Sequence, residues 1–196
     1  MKKTILLFVF VLATFAAAQA QAPRIGLRAG LNYSGFEGDD ADNLGVDDMM
    51  FGFHAGLTAN VPLVEDFFSV QPEVLFSKKG AESKDDDVKY KLSYIDVPVL
   101  ARVNAGPIYF EGGPQVSFRI GGDIEVQGTN VDDDLDQFKA TSLGYAAGLG
   151  LGSTPLGLSV GVRYNGDISK MNDNDNAPEF RNSVFMFTVG FNIPTR

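Results

Sequence analysis

The sequence predicts an all-β fold in which eight antiparallel strands run up and down and close into one barrel. Three observations carry this prediction. Apolar and polar residues alternate in eight successive stretches, the period at which a strand shows two faces. The connections between these stretches run long, short, long, short, long, short, long. No helix-period segment or internal linker interrupts the series, so the chain reads as one domain. Closure pairs every strand edge, which an open sheet would leave exposed.

Taken in order, Ile25–Tyr33 sets Ile25, Leu27, Ala29, Leu31 and Tyr33 against Gly26, Arg28, Gly30 and Asn32. After the long acidic connection Ser34–Met49, Phe51–Val61 sets Phe51, Phe53, Ala55, Leu57, Ala59 and Val61 against Gly52, His54, Gly56, Thr58 and Asn60. The short link Pro62–Asp66 leads to Phe67–Ser77, where Phe68, Val70, Val74 and Phe76 oppose Ser69, Gln71, Glu73 and Ser77. A charged connection is read over Lys78–Lys89. Next comes a hairpin, Ser93–Ile120, bent at Asn104-Ala-Gly-Pro107, a four-residue turn signal. One face of it carries Ile95, Val97, Val99, Ala101, Val103, Ile108, Phe110, Val116, Phe118 and Ile120. The other carries Asp96, Leu100, Arg102, Tyr109, Glu111, Gln115, Ser117 and Arg119. Gly121–Gln137 is a third long, Asp-rich connection. Phe138–Gly152 then sets Leu143, Tyr145, Ala147, Leu149 and Leu151 against a Gly, Ser and Ala face. Past the turn Ser153–Gly157, Leu158–Asp167 opposes Leu158, Val160, Val162 and Tyr164 to Ser159, Gly161, Arg163, Asn165 and Asp167. The polar connection Ile168–Asn182 precedes Ser183–Ile193, with Phe185, Phe187, Val189, Phe191 and Ile193 on one face.

The N-terminus carries its own signal. Lys2 and Lys3 precede the apolar run Ile5–Ala18 and the small-x-small site Ala18-Gln19-Ala20. That run is shorter than the roughly 20 residues a spanning helix needs, so residues 1–20 read as a secretory signal peptide and 21–196 as the exported barrel. The 196 residues include no Cys, which excludes a disulfide framework, a Cys-ligated metal and a lipid-anchored N-terminal Cys. A net charge of -9 argues against a nucleic-acid partner.

Alternation alone does not say which face is outside. A soluble, lipocalin-like ligand-binding barrel has the same period with its apolar face inward, and a narrow transport barrel shares the membrane pattern. Three features favour apolar faces turned to lipid. The polar faces are rich in Gly, Ser and Ala, as a narrow lumen requires, and their charges nearly cancel. Aromatics cluster at strand ends as two girdles, Phe68, Phe110 and Phe191 at one rim and Tyr33, Phe51, Phe76, Tyr94, Phe118, Tyr145, Tyr164 and Phe185 at the other. The expectation is a transmembrane β-barrel whose lumen holds a structural network of Arg28, Arg102, Arg119 and Arg163 with Glu73, Asp96, Glu111 and Asp167. An eight-stranded barrel is just wide enough for side chains to fill, so such charges must pair or remain desolvated and uncompensated.

No catalytic constellation stands out. His54 is the sole histidine; it could meet Ser34 or an Asp in space, but no spacing indicates it, and a hydrogen-bonding role in the lumen or at its rim is expected. Asp132-Asp133-Asp134-x-Asp136 and Asn172-Asp173-Asn174-Asp175-Asn176 offer oxygen ligands suited to Ca²⁺ or Mg²⁺. Neither has the Gly and terminal Glu of an EF-hand loop, so both are read as solvated loops, with no metal and no cofactor expected.

Four segments carry a family resemblance: Gln71-Pro-Glu-Val-Leu-Phe-Ser-Lys-Lys-Gly80, Tyr94-Ile-Asp-Val-Pro-Val-Leu100, Gly113-Pro-Gln115 and Gly161-Val-Arg-Tyr164. They resemble the PorT-like outer-membrane β-barrel domain of Gram-negative bacteria, with Asp96 where that family commonly has Glu. The resemblance implies a small OmpA/OmpX-type barrel in the outer membrane, and its motifs mark the fold without being catalytic. The resulting expectation is a non-enzymatic, monomeric barrel in contact with outer-membrane lipid. Its acidic outer loops would meet lipopolysaccharide through bridging cations, extracellular partners or secretion-machinery proteins.

Overall fold

The computed structural model describes residues 23–37, 48–82, 88–126, 129–131, 139–152, 157–169 and 181–193. Residues 1–20, where the signal peptide is read, lie outside these, as do the Asp132–Asp136 and Asn172–Asn176 runs. The strands are β1 (Arg24–Glu37), β2 (Asp48–Val64), β3 (Phe68–Glu82), β4 (Val88–Ala105), β5 (Ile108–Val126), β6 (Thr129–Val131), β7 (Thr141–Leu151), β8 (Leu158–Asp167) and β9 (Arg181–Asn192). Eight of them pair antiparallel in the cyclic order β1-β2-β3-β4-β5-β7-β8-β9, and β9 returns to β1. The sheet is a closed up-and-down barrel. The short β6 is an addition to the expected eight; it pairs with the far end of β5.

Accessibility follows the predicted parity and settles which face looks outward. Phe51 is 72% exposed, Leu31 57% and Phe187 53%, while Glu73, Gln71 and Arg163 are at most 3% exposed. The hairpin behaves alike: Phe110 and Phe118 face out, and Glu111 and Gln115 face in. Apolar side chains thus coat the outside of the tube and polar ones fill it, the inverse of a soluble barrel. The lipocalin-like alternative is overturned by this arrangement.

The strands outrun the sequence-based boundaries at the long-loop end. Lys78–Lys89 reads as a connection in the sequence, yet β3 continues to Glu82 and β4 begins at Val88. Likewise β5 continues through Gly121 to Val126. Above a membrane, apolar alternation is not required, and cross-strand charge pairs suffice to hold a ladder. Lys89 meets Glu82 at 2.7 Å, and Lys91 pairs with Glu125, whose carboxyl that hydrogen bond pulls below its ordinary range. At the other end the turns are tight. Asp66 takes φ 56° in the β2–β3 turn and Gly106 takes φ 65° in the β4–β5 turn, left-handed positions that Asp and Gly tolerate.

Outward aromatics at the long-loop end touch in sequence: Tyr33 and Phe51 have ring centroids 4.9 Å apart, Tyr164 and Phe185 5.1 Å, Tyr145 and Tyr164 6.1 Å. Tyr94, assigned to this girdle from sequence, belongs elsewhere. It shares parity with Asp96 and is 2% exposed, its ring turned into the lumen.

The lumen packs by pairing large residues with glycine. Tyr109 lies beside Gly150, which in turn pairs with Gly161. A Cβ at Gly150 would come within 2.5 Å of the Tyr109 hydroxyl, and one at Gly161 would overlap that oxygen outright. Gly161→Ala is therefore expected to destabilise the barrel by about 1–3 kcal/mol through overpacking. Adding Tyr109→Phe, which deletes the clashing oxygen, should recover part of that loss in a double-mutant cycle of urea unfolding. An additive double mutant would refute this packing.

Candidate functional site: the charged lumen

Four of the predicted charges converge on one level of the barrel. Arg28 on β1, Glu73 on β3, Glu111 on β5 and Arg163 on β8 project inward from strands spaced around the wall. Arg28 Nη1 lies 3.0 Å from Glu73 Oε1, and Arg28 Nη2 donates to Glu111 Oε2 at 3.2 Å. Arg163 Nη1 donates to Glu73 Oε2 at 2.8 Å; its Nη2 and Nε donate to Glu111 Oε1 at 2.5 and 2.8 Å. Each guanidinium bridges both carboxylates, forming a closed, charge-neutral ring in which no side chain is more than 3% exposed. Gln71 Nε2 adds a donor to Glu73 Oε1 at 2.7 Å.

Glycines make room for the ring. Gly148 is the strand partner of both Glu111 and Arg163, and Gly56 and Gly190 flank Arg28 on β2 and β9. Long side chains can then lie across neighbouring strands toward the axis. The Gly-rich polar face was visible in the sequence, but which glycine opposes which charge depends on register.

The remaining four predicted residues lie apart from the ring. Asp96 was expected among arginines; its partner is Lys79, whose Nζ donates to Oδ1 at 2.8 Å and sits 4.9 Å from the Tyr94 ring centroid. Lys79 is hidden in the sequence because Lys78-Lys79-Gly80 reads as the start of a loop. Its parity with Glu73, Leu75 and Ser77 was the available signal. Asp167, toward the long-loop end, accepts from Asn182 Nδ2 at 3.3 Å. Arg119 lies half-buried toward the same end. Arg102 lies at the short-turn end, stacked 3.6 Å from the Tyr109 ring centroid, with Nε donating to Asn104 and Nη1 to Gln71.

His54 does not meet Ser34, whose hydroxyl donates to Gly80 O at 2.9 Å. His54 Nδ1 lies 2.7 Å from Asn32 Oδ1 and Nε2 3.0 Å from Thr188 Oγ1. A hydroxyl, an imidazole and an orienting amide in line are the parts of a nucleophilic site. Here the imidazole is 1% exposed inside a filled lumen, so the line serves as a hydrogen-bonded cross-brace. Among the described residues no group of three His, Cys, Asp or Glu is placed to hold a metal ion.

A closed antiparallel ring with an apolar exterior and a side-chain-filled polar interior defines an integral membrane β-barrel. The chain belongs to the family described as outer membrane protein beta-barrel domain, whose match runs over residues 17–172, and it resides in the outer membrane. Three solved structures share the fold. Neisserial surface protein A aligns at TM-score 0.55 and 18% identity, covering 86% of this chain and 97% of that one. The outer membrane enzyme PagL aligns at 0.52 and 14%, covering 86% and 99%. The attachment invasion locus protein Ail of Yersinia pestis, solved with the heparin analogue sucrose octasulfate, aligns at 0.50 and 16%, covering 88% and 100%. At these identities the likeness is one of fold. Comparison with curated protein sequences returns no match.

Proposed function

We propose that this is a non-enzymatic, monomeric interaction barrel, sealed across its lumen and presenting acidic loops outside the cell. The observation that carries the seal is the Arg28–Glu73–Arg163–Glu111 ring, four buried charges joined across the axis. A gated path would need continuous water at that level, and the ring leaves each charge satisfied by another. The purified barrel in a planar bilayer should show no stable open state. Unit conductance steps that persist in the wild type and disappear on removing the protein would sink this reading.

The loops suit contacts made through charge. The chain's net charge of -9 is concentrated in the connections between strands, so lipopolysaccharide bridged by divalent cations, an extracellular protein, or an envelope secretion machine fits them. The resemblance to PorT-like barrels favours the last. Cross-linking in the native envelope tests it: barrel recovered only with lipid would argue for lipopolysaccharide. Export is read from Lys2–Ala20, and a mature chain beginning elsewhere than Gln21 would refute the cut after Ala20.

A further inference from the structure

Among the described residues Arg102 is a lumen cation held more loosely than its neighbours: its register partner Glu111 is already bridged by Arg28 and Arg163. Arg28 and Arg163 each bridge two carboxylates, and Lys79 has Asp96. Arg102 is 5% exposed, yet among the described residues no carboxylate lies within ion-pair distance of it. Its only polar partners there are two neutral amide oxygens at long range, Asn104 Oδ1 at 3.3 Å and Gln71 Oε1 at 3.4 Å. Tyr109 covers one face of the guanidinium. A guanidinium offers five N–H donors, and burying one this poorly matched is costly unless something else completes it.

The surroundings show where that partner would sit. Arg102 lines a cavity of about 570 Å³ at the short-turn mouth, together with Arg24, Asn60, Asn104, Asn192 and the rim carboxylate Asp66. Arg24 and Asn60 are register partners on β1 and β2, so a second guanidinium and an amide stand at the entrance. Two guanidinium groups against one carboxylate leave the cavity lining net positive, in a chain that is otherwise strongly acidic. The cavity is polar where Arg102 faces it and apolar along Leu151 and Pro107.

We propose that the short-turn mouth is an oxyanion-binding site, taking a phosphate-class group on the Arg102 guanidinium with Arg24 at the entrance. Planar forks of N–H donors match such oxygens two at a time, and the low dielectric beneath the mouth strengthens the pairing. In outer-membrane barrels short turns face the periplasm, so the site opens toward soluble phosphates and the headgroups of the inner leaflet.

The test uses the exported chain refolded in neutral detergent, with inorganic phosphate titrated at fixed ionic strength. The Arg102 Nε–Hε and Gly106 amide resonances should shift saturably. Arg102→Gln should abolish the Gly106 response, and Arg24→Gln should weaken binding about threefold. Asn104→Asp provides a safeguard against misfolding: it sets a carboxylate beside Arg102, so it should suppress phosphate binding about tenfold while the barrel keeps its heat-modifiable gel mobility. Nanodiscs of zwitterionic phosphatidylcholine with and without anionic phosphatidylglycerol, in buffer free of inorganic phosphate, separate the sources. A shift with phosphate marks a soluble anion, and one confined to phosphatidylglycerol discs marks a headgroup. The absence of a saturable shift with either probe, or an undiminished response in folded Asn104→Asp, would overturn the site.

Discussion

Arg163→Met is expected to lower the unfolding free energy of the membrane-inserted barrel by about 3–5 kcal/mol, the scale for breaking a buried ionic cluster by removing one partner. The reason is what remains. Glu73 and Glu111 stay buried with Arg28 alone between them, so one negative charge in the lumen loses its counter-charge. A second substitution, Glu111→Gln, restores neutrality in that background and should recover a substantial part of the loss, so the pair must be strongly non-additive. Exposure decides the contrast with the rim. Lys89 and Glu82 form an ion pair of similar length, but their side chains are 35% exposed, and Lys89→Ala should cost no more than about 1 kcal/mol. Urea unfolding in lipid vesicles, followed by heat-modifiable gel mobility, compares the two. If Arg163→Met cost no more than Lys89→Ala, the ring could not be a structural element.

Much of this architecture was legible because a bilayer imposes a strict rule on one face of each strand. Leu31, Phe187 and Val162 had to be apolar, and their alternation with Asn32, Thr188 and Arg163 revealed both strand and facing. The rule lapses where lipid ends. Lys78–Glu82 and Lys89–Leu92 belong to strands, but their ladder is held by charge pairs and backbone bonds, and the inward parity of Lys79 is the one local cue that separates the first from a solvated loop. Tyr94 shows a second limit. An aromatic near a strand end suggests a girdle, yet its parity with Asp96 places it inside, and parity should have prevailed. Partners across the lumen were the least legible. Which charges meet depends on strand height, and height depends on irregularities such as the register shifts between Met49 and His54 and between Ser93 and Tyr94. Composition allowed a charge network, but it could not distinguish Arg163 from Arg102. One reaches two carboxylates, and the other reaches only amides.

Val162→Arg should cost about 2–4 kcal/mol, the range for a cationic side chain on the lipid face near the bilayer midplane. Val162 is 43% exposed at the middle of β8, with Leu149 and Phe187 as its strand partners on either side. Arginine is already present one residue further on, at Arg163, where the lumen supplies two carboxylates. The same side chain is thus required at one position and rejected at the next, and the difference lies in the medium each face meets. Depth provides the control. Ile168, just past the outer end of the same strand and 63% exposed, lies where the penalty falls toward about 0–1 kcal/mol, so Ile168→Arg should be nearly silent. Both variants can be unfolded in the vesicle assay used for Arg163. Equal, small costs at 162 and 168 would mean that β8 does not cross a hydrocarbon layer. A steep difference would mean that it does, with the Arg163 ring held level with the bilayer centre, where water cannot stand in for a missing partner.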